Sequence, residues 1–342
     1  MSCARDGAID THTHIVPAEF PSYIGRHPNV AWPSMQHTKP CHANVMIAGK
    51  VFRSVDNRSW NVTRRIEAMD EAGIERQVLS PMPELLSYWF PPEDAAVFGD
   101  YVNGFIAEMI AAEPNRMVGL GMVPLQDVDL AIKTLEALVQ RRGFSGVEIG
   151  THVNNVPIGD PSLEPFFSAA EDLSASIFVH ALHPIGRERL VGPAALSAAL
   201  LFPCDVALAA SSVVTGGLIA RHPKLRLAFS HGGGAFGLLL PRLAHMWRTT
   251  PSIRDLMDED PRDTARRLYY DTLVYDNDTL AFLVERFGAN RLLVGSDYPY
   301  QVHDPDPVGR INDLTLGPTD RQALIRENAI TFLGLEAVDS DP

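Results

Sequence analysis

Short apolar runs alternate with longer amphipathic ones along most of this chain. The candidate strands are Ala8–His14, Arg76–Pro81, Met117–Pro124, Gly146–Gly150, Ser176–His180, Leu225–His231, Leu268–Val274 and Arg291–Asp297. Several are almost wholly apolar, such as Ile177-Phe178-Val179 and Leu292-Leu293-Val294. A parallel strand covered on both faces reads this way, whereas a half-exposed strand alternates. Between them, Val62–Ala72, Pro92–Glu113, Val128–Arg142, Ser162–Leu173, Pro193–Arg221, Ala235–Trp247 and Asp278–Phe287 carry helical patterns, and Pro318–Phe332 adds a last one. In Val62–Ala72, for instance, Val62, Ile66 and Met69 recur at helical spacing, and Gly73 follows where a helix C-terminus favours it. Eight strand–helix units predict a single α/β domain, a (β/α)8 barrel. A doubly wound sheet is the rival.

One region breaks the alternation. Residues 17–60 are rich in Pro, His and Asn, with a mixed run Val45–Phe52. This is read as an insertion after the first strand, with a strand pair near 44–54. Loops that follow barrel strands lie on the active-site face, so the insertion is expected to form a lid or a substrate wall. Ser162–Leu173 and Pro193–Arg221 are read as ordinary outer helices.

Composition narrows the choice of partners. The chain has 342 residues and a formal net charge of −13, which disfavours nucleic acid and anionic membrane but not a small anionic substrate. The three cysteines, Cys3, Cys41 and Cys204, show no paired spacing, so a reducing, cytoplasmic setting is expected. No apolar run in the sequence approaches the roughly 18 residues of a membrane span, and the N-terminus lacks the pattern of a secretion signal.

The candidate chemistry sits where the strand runs end. The first ends in His12-Thr13-His14, whose two imidazoles share one strand face at spacing i, i+2. The fifth ends in His180, the sixth in His231 before Gly232-Gly233-Gly234, and the eighth in Asp297. In a barrel these positions meet at one mouth. Three histidines and a carboxylate there make a mixed nitrogen and oxygen site suited to Zn2+, less so to Ca2+ or Mg2+. Taken singly, each residue is equally a satisfied buried polar group. The Gly232–Gly234 run leaves room for a planar substrate beside His231, makes a tight strand-to-helix turn, or does both.

Several stretches together resemble the amidohydrolase superfamily, in the branch of the aminocarboxymuconate-semialdehyde decarboxylases. They are Ile9–His14, Phe52-Arg53, Arg65–Asp70, Val123–Asp127, Gly146–Gly150, Phe178–His180, Ser230–Phe236 and Gly295–Pro299. The resemblance implies one zinc ion held by His12, His14, His180 and Asp297, with a water completing the shell. His231 would be the non-ligand acid/base. One metal is implied rather than two, because Val147-Glu148-Ile149 stands where two-metal relatives carry a lysine. Arg53 and Arg242 match arginines that hold substrate carboxylates, which guanidinium groups bind bidentately. In that family the second arginine comes from the neighbouring subunit, so a homodimer is implied. Ala235–Leu240 would serve either that interface or the core.

Two departures bear on the substrate. His180-Ala181-Leu182-His183-Pro184 replaces a tryptophan-bearing wall and brings His183 to the pocket, and Glu148 replaces a glutamine. Glu148 would touch the substrate, donate a proton, or bond to a ligand histidine. Glu84–Phe90 supplies an aromatic wall. The expected activity is a zinc-dependent, non-oxidative decarboxylation of a small unsaturated or aromatic acid in aromatic-compound catabolism. The alternatives are a hydrolase or hydratase on the same centre, told apart by ammonia or ring-opened product in place of CO2, and a non-catalytic metal-binding protein.

Overall fold

The computed structural model describes residues 7–27 and 29–335; Cys3 lies outside them. Eight parallel strands form one sheet in chain order: Ala8–Ile15, Ile74–Pro81, Met117–Gly121, Gly146–Gly150, Ser176–His180, Arg226–Phe229, Tyr269–Asp271 and Leu292–Leu293. The sheet closes on itself. Thr11 N–H donates to Val294 O at 2.8 Å, His14 N–H donates to Tyr298 O at 2.7 Å, and Thr13 bridges Tyr298 in parallel. This is a (β/α)8 barrel. All eight sequence runs become strands, although the last three are shorter than expected. Their ends leave the ladder early and turn into the loops that carry His231 and Asp297.

Helices surround the sheet, and local sequence sets their ends. Asn61 caps Val62–Glu71, Asp127 caps Val128–Arg142 and Asp276 caps Asn277–Phe287, each side chain accepting a backbone N–H of the first turn. Gly143, at φ +68°, ends the second of these in the left-handed conformation that glycine adopts freely.

The barrel interior is divided. Ile9, Val78, Leu120, Phe178, Ala228 and Leu293, from six strands, pack in one buried cluster with Ala329, Phe332 and Leu333. Side chains from so many strands meet only inside the barrel, so the final helix, Asn328–Leu333, plugs its lower end. Above this apolar floor the interior turns polar, and the His12 ring lies 5.0 Å from that of Phe178.

Three expectations need correction. The insertion holds a three-stranded antiparallel sheet, Ser34–Lys39, His42–Ile47 and Lys50–Asp56, not a strand pair. The third strand, Ser34–Lys39, is mostly exposed on both faces, so it has no hydrophobic alternation to announce it. The Pro193–Arg221 segment is not a plain outer helix: it opens with the wide turn Ser197–Leu201, runs into Phe202–Thr215, and its start faces the central cavity. Residues Ser197–Thr215 also form a helix long and apolar enough to cross a membrane by length and composition. In the sequence Pro203 and Asp205 interrupt that run. In the fold, Asp205 is buried and accepts a hydrogen bond from Thr151 Oγ1.

Candidate metal centre

The first strand brings His12 and His14 together as their spacing requires, with the two Nε2 atoms 3.2 Å apart. One ligand atom each from His12, His14, His180 and Asp297 fall within 4.8 Å of one another, and all four residues are buried. The tautomers follow from what lies behind each ring. His12 Nδ1 is 2.6 Å from Asp271 Oδ2, His14 Nδ1 is 3.1 Å from Pro81 O, and His180 Nδ1 is 2.9 Å from Ala181 O. These partners only accept, so each Nδ1 carries a proton and each Nε2 turns inward, where a cation would meet its lone pair.

Lone pairs facing one another without a shared proton are unfavourable unless a cation lies among them. His180 Nε2 and Asp297 Oδ1 are buried and have no hydrogen-bond partner among the described residues. This donor set, nitrogen and carboxylate oxygen with each imidazole fixed from behind, fits a divalent transition metal.

The electrostatics agree. Burial alone would hold the Asp297 carboxyl high, yet the His14 and His12 imidazoles beside it bring it down to about 2. For His12, burial lowers the affinity for a proton, but the Asp271 carboxylate and Asp297 outweigh it and raise the pKa to about 9. The same field that draws a proton to His12 attracts a cation. Burial and the neighbouring rings push His180 well below its ordinary value.

His231 stands beside this cluster, its ring 5.0 Å from that of His180 and 5.5 Å from that of His12. Burial and the nearby His12 lower its pKa to about 4, so it is a neutral imidazole at neutral pH. Its backbone sits at φ +55°. Asp271 holds that turn, taking N–H bonds from His231 at 3.0 Å and Gly232 at 2.7 Å. The three glycines that follow all have positive φ, and a Cβ at Gly233 would come within 2.6 Å of Tyr270 while one at Gly232 would meet Leu283 and Val274. Packed neighbours therefore fill the space beside Gly232 and Gly233, which make a tight turn, while Gly234 lines the central cavity with His231.

A cavity of about 640 Å³ opens above the cluster, lined by His180, His231 and Asp297 together with Arg53, Glu84, His183 and Tyr300 among others. Arg53 comes from the Lys50–Asp56 strand of the insertion. Its guanidinium lies 4.1 Å from the Tyr300 ring, which in turn stacks on His14 at 5.1 Å.

Two expected substrate contacts lie elsewhere. Glu148, on the fourth strand, is fully buried behind His14, with Oε2 3.7 Å from Nδ1, and does not line the cavity. Burial raises its pKa to about 8, and at 3.7 Å it makes no hydrogen bond to His14, whose Nδ1 is bonded to Pro81 O. Arg242 is exposed on the Phe236–Thr249 helix, outside the cavity of its own chain.

Sequence reasoning missed Asp271 and Asp10. Asp271 ends the seventh strand, so the rule that found the others would have found it. Asp10 binds the Ser296 hydroxyl and N–H and the His12 N–H, tying the first strand to the turn that presents Asp297. Four non-glycine residues on the cavity wall, His183, His231, Tyr275 and Asp297, have positive φ. Backbone strain of this kind collects at functional sites.

Barrel and centre together define a TIM-barrel protein with a buried His/Asp cluster that could hold a metal ion. The chain belongs to the Amidohydrolase family, whose sequence pattern residues 9–335 match. It is 33% identical to the 2-amino-3-carboxymuconate-6-semialdehyde decarboxylase of Dictyostelium discoideum, over 97% of this chain and 93% of that one. It is 24% identical to the gamma-resorcylate decarboxylase of Rhizobium radiobacter, over 85% and 92%. The fold matches that of apo IDCase from Metarhizium anisopliae, with a TM-score of 0.81 at 19% identity over 98% of this chain and 100% of that one. It also matches 5-carboxyvanillate decarboxylase LigW from Sphingomonas paucimobilis, at 0.74 and 24% over 81% and 84%. A dihydroxybenzoic acid decarboxylase from Polaromonas, with a TM-score of 0.71 and 24% identity over 80% and 86%, was solved with bound manganese.

Proposed function

We propose that this chain is a zinc-dependent, non-oxidative decarboxylase of a small unsaturated or aromatic carboxylic acid formed in aromatic-compound catabolism. One observation carries the reading: three inward imidazole lone pairs and Asp297 converge at the floor of a cavity that also holds a neutral His231 and Arg53. The relatives named above are decarboxylases, which supports CO2 loss over the hydrolase alternative.

His12, His14, His180 and Asp297 would hold the ion. When bound, a divalent cation supplies a Lewis acid that polarises a substrate oxygen and acidifies water. Arg53 takes the substrate carboxylate in a bidentate grip, its own face resting on Tyr300. Met82, Leu182, Phe202 and Val274 keep water from the reacting carbon. His231, a neutral base, takes a proton from solvent water, whose hydroxide returns to the bulk, and passes it to the carbon that loses its carboxylate. The C–CO2 bond breaks, its electron pair stays on that carbon, the proton fills the position, and CO2 leaves.

The same reading makes the protein a homodimer with Arg242 reaching the neighbour's cavity. Leu238, Arg242 and Met246 recur every fourth residue on one helix, and all three are exposed, Leu238 at 72%. A reducing, cytoplasmic setting suits the exposed thiols among the described residues, Cys41 and Cys204.

The test is CO2 release by the zinc-loaded protein from 2-amino-3-carboxymuconate-6-semialdehyde and from 2,6-dihydroxybenzoate. Turnover of either, lost on chelation and restored by zinc, is expected. Ammonia or a ring-opened product without CO2 would overturn the reading.

A further inference from the structure

Away from the metal cluster the cavity wall is mostly apolar, with Met82, Pro83, Leu182, Ala198, Phe202 and Val274 among its residues. Arg53, Arg187, Tyr275, Thr279 and Tyr300 interrupt it, and so does one hydrogen-bonded couple. His183 Nε2 lies 2.7 Å from Glu84 Oε1, and the imidazole stacks on Trp89 with 4.4 Å between ring centres. The two residues come from the loops after the second and fifth strands, and both line the cavity. The Glu84 side chain is only 15% exposed, and His183 sits at φ +48°.

Placing a carboxylate in an apolar wall costs solvation, and a left-handed backbone at a non-glycine residue costs conformational energy. The proton transfer at His231 uses neither group. The couple is also rigid, because the ring is fixed on one edge by Glu84 and on one face by Trp89. A rigid, costly polar couple on a cavity wall has the character of a recognition element.

Its chemistry selects the ligand. Glu84 spends one lone pair on the His183 Nε2–H and keeps others. The couple therefore offers acceptors to the cavity. A second carboxylate would meet the like charge of Glu84. We propose that Glu84 and His183 form a specificity subsite for a hydrogen-bond donor, a hydroxyl or amino substituent, on an acid whose carboxylate is held at Arg53. This rests on the decarboxylase reading and narrows its substrate class to donor-bearing acids.

Binding to the zinc-loaded protein tests it by calorimetry with benzoate, methylbenzoate, hydroxybenzoate, aminobenzoate and isophthalate, taking the tighter of the meta and para isomers. The hydroxy and amino acids should bind at least about tenfold tighter than the methyl acid, since a site built to bond a polar group discriminates strongly against its absence. Glu84→Gln preserves volume and should cut this preference below about threefold while leaving the methylbenzoate Kd unchanged. A merely structural role would weaken all the acids alike. His183→Gln should likewise reduce the preference.

Full preference retained in Glu84→Gln, or isophthalate bound tightest, would overturn the subsite. CO2 release with equal affinity for methyl and hydroxy acids would remove the subsite and leave the decarboxylase standing. Failure of every acid to bind, with no CO2 release, would remove both.

Discussion

The metal cluster and the cavity wall above it are built on opposite principles. His12, His14 and His180 lie on or at the ends of buried strands, and each ring is fixed from behind by a carboxylate or a carbonyl. The wall is assembled from loops: the insertion gives Arg53, the second loop Glu84, the fifth loop His183, and the start of a long helix Ala198 and Phe202. A centre with three of its four ligands on strands, and Asp297 on the turn that follows one, keeps its geometry whatever passes through it. A wall made of loops is free to change its selectivity without disturbing that geometry. Substitutions below should therefore abolish chemistry, and substitutions above should redirect or weaken binding.

The largest effect is expected at the floor. Asp297→Ala or His180→Ala removes a ligand and should cost both bound metal and all activity, read by metal analysis of the purified variants. Asp297→Ala with a full complement of zinc would break the ligand assignment. His231→Ala should retain metal yet lose about 10²- to 10⁴-fold in kcat, the range of a general acid–base contribution. Equal loss of metal in this variant would move His231 into the ligand set and blur the contrast.

The wall should respond more gently. Arg53→Ala removes a charge-assisted bond to the carboxylate and should cost about 1.5–3 kcal/mol, seen mainly in KM. Unchanged KM would take Arg53 out of the binding site.

The floor was far more legible in the sequence than the wall. His12, His14, His180, His231 and Asp297 each close an apolar run, and a polar residue ending a buried strand stands out without any knowledge of the fold. Asp271 obeys the same rule within Tyr269-Tyr270-Asp271 but was passed over. Its partners are mostly backbone N–H groups, which have no residue signature. The Glu84–His183 couple was not legible, because 99 positions separate its members and only the barrel brings those loops together. The Ser34–Lys39 strand escaped because a strand exposed on both faces has no period to read. Arg242 shows the limit of resemblance alone. The match names it, but on a single chain it points to no cavity.

The subtlest effect tests how the floor is tuned. In the metal-free protein His12 keeps a proton up to about pH 9, chiefly because Asp271 offsets the penalty of burial. Its folded pKa lies above the unfolded value, so its contribution to stability is complete below about pH 6.5 and is lost as pH rises through 9. A cation must displace that proton, so near neutral pH each zinc bound should release one from His12. Asp271→Asn removes the charge that holds it. Asp271 now takes four donors: His12 Nδ1 and the N–H groups of His231, Gly232 and Leu273. An amide nitrogen in place of either oxygen would face donors, loosening both the His12 ring and the His231 turn. The expected outcome is a fall of about 10- to 100-fold in metal affinity. Proton release at His12, measured by calorimetry in buffers of different ionisation enthalpy, should disappear with it. Release that persists in Asp271→Asn would mean that Asp297 and Glu148 suffice to hold the proton on His12, and that the floor depends less on Asp271 than the geometry indicates.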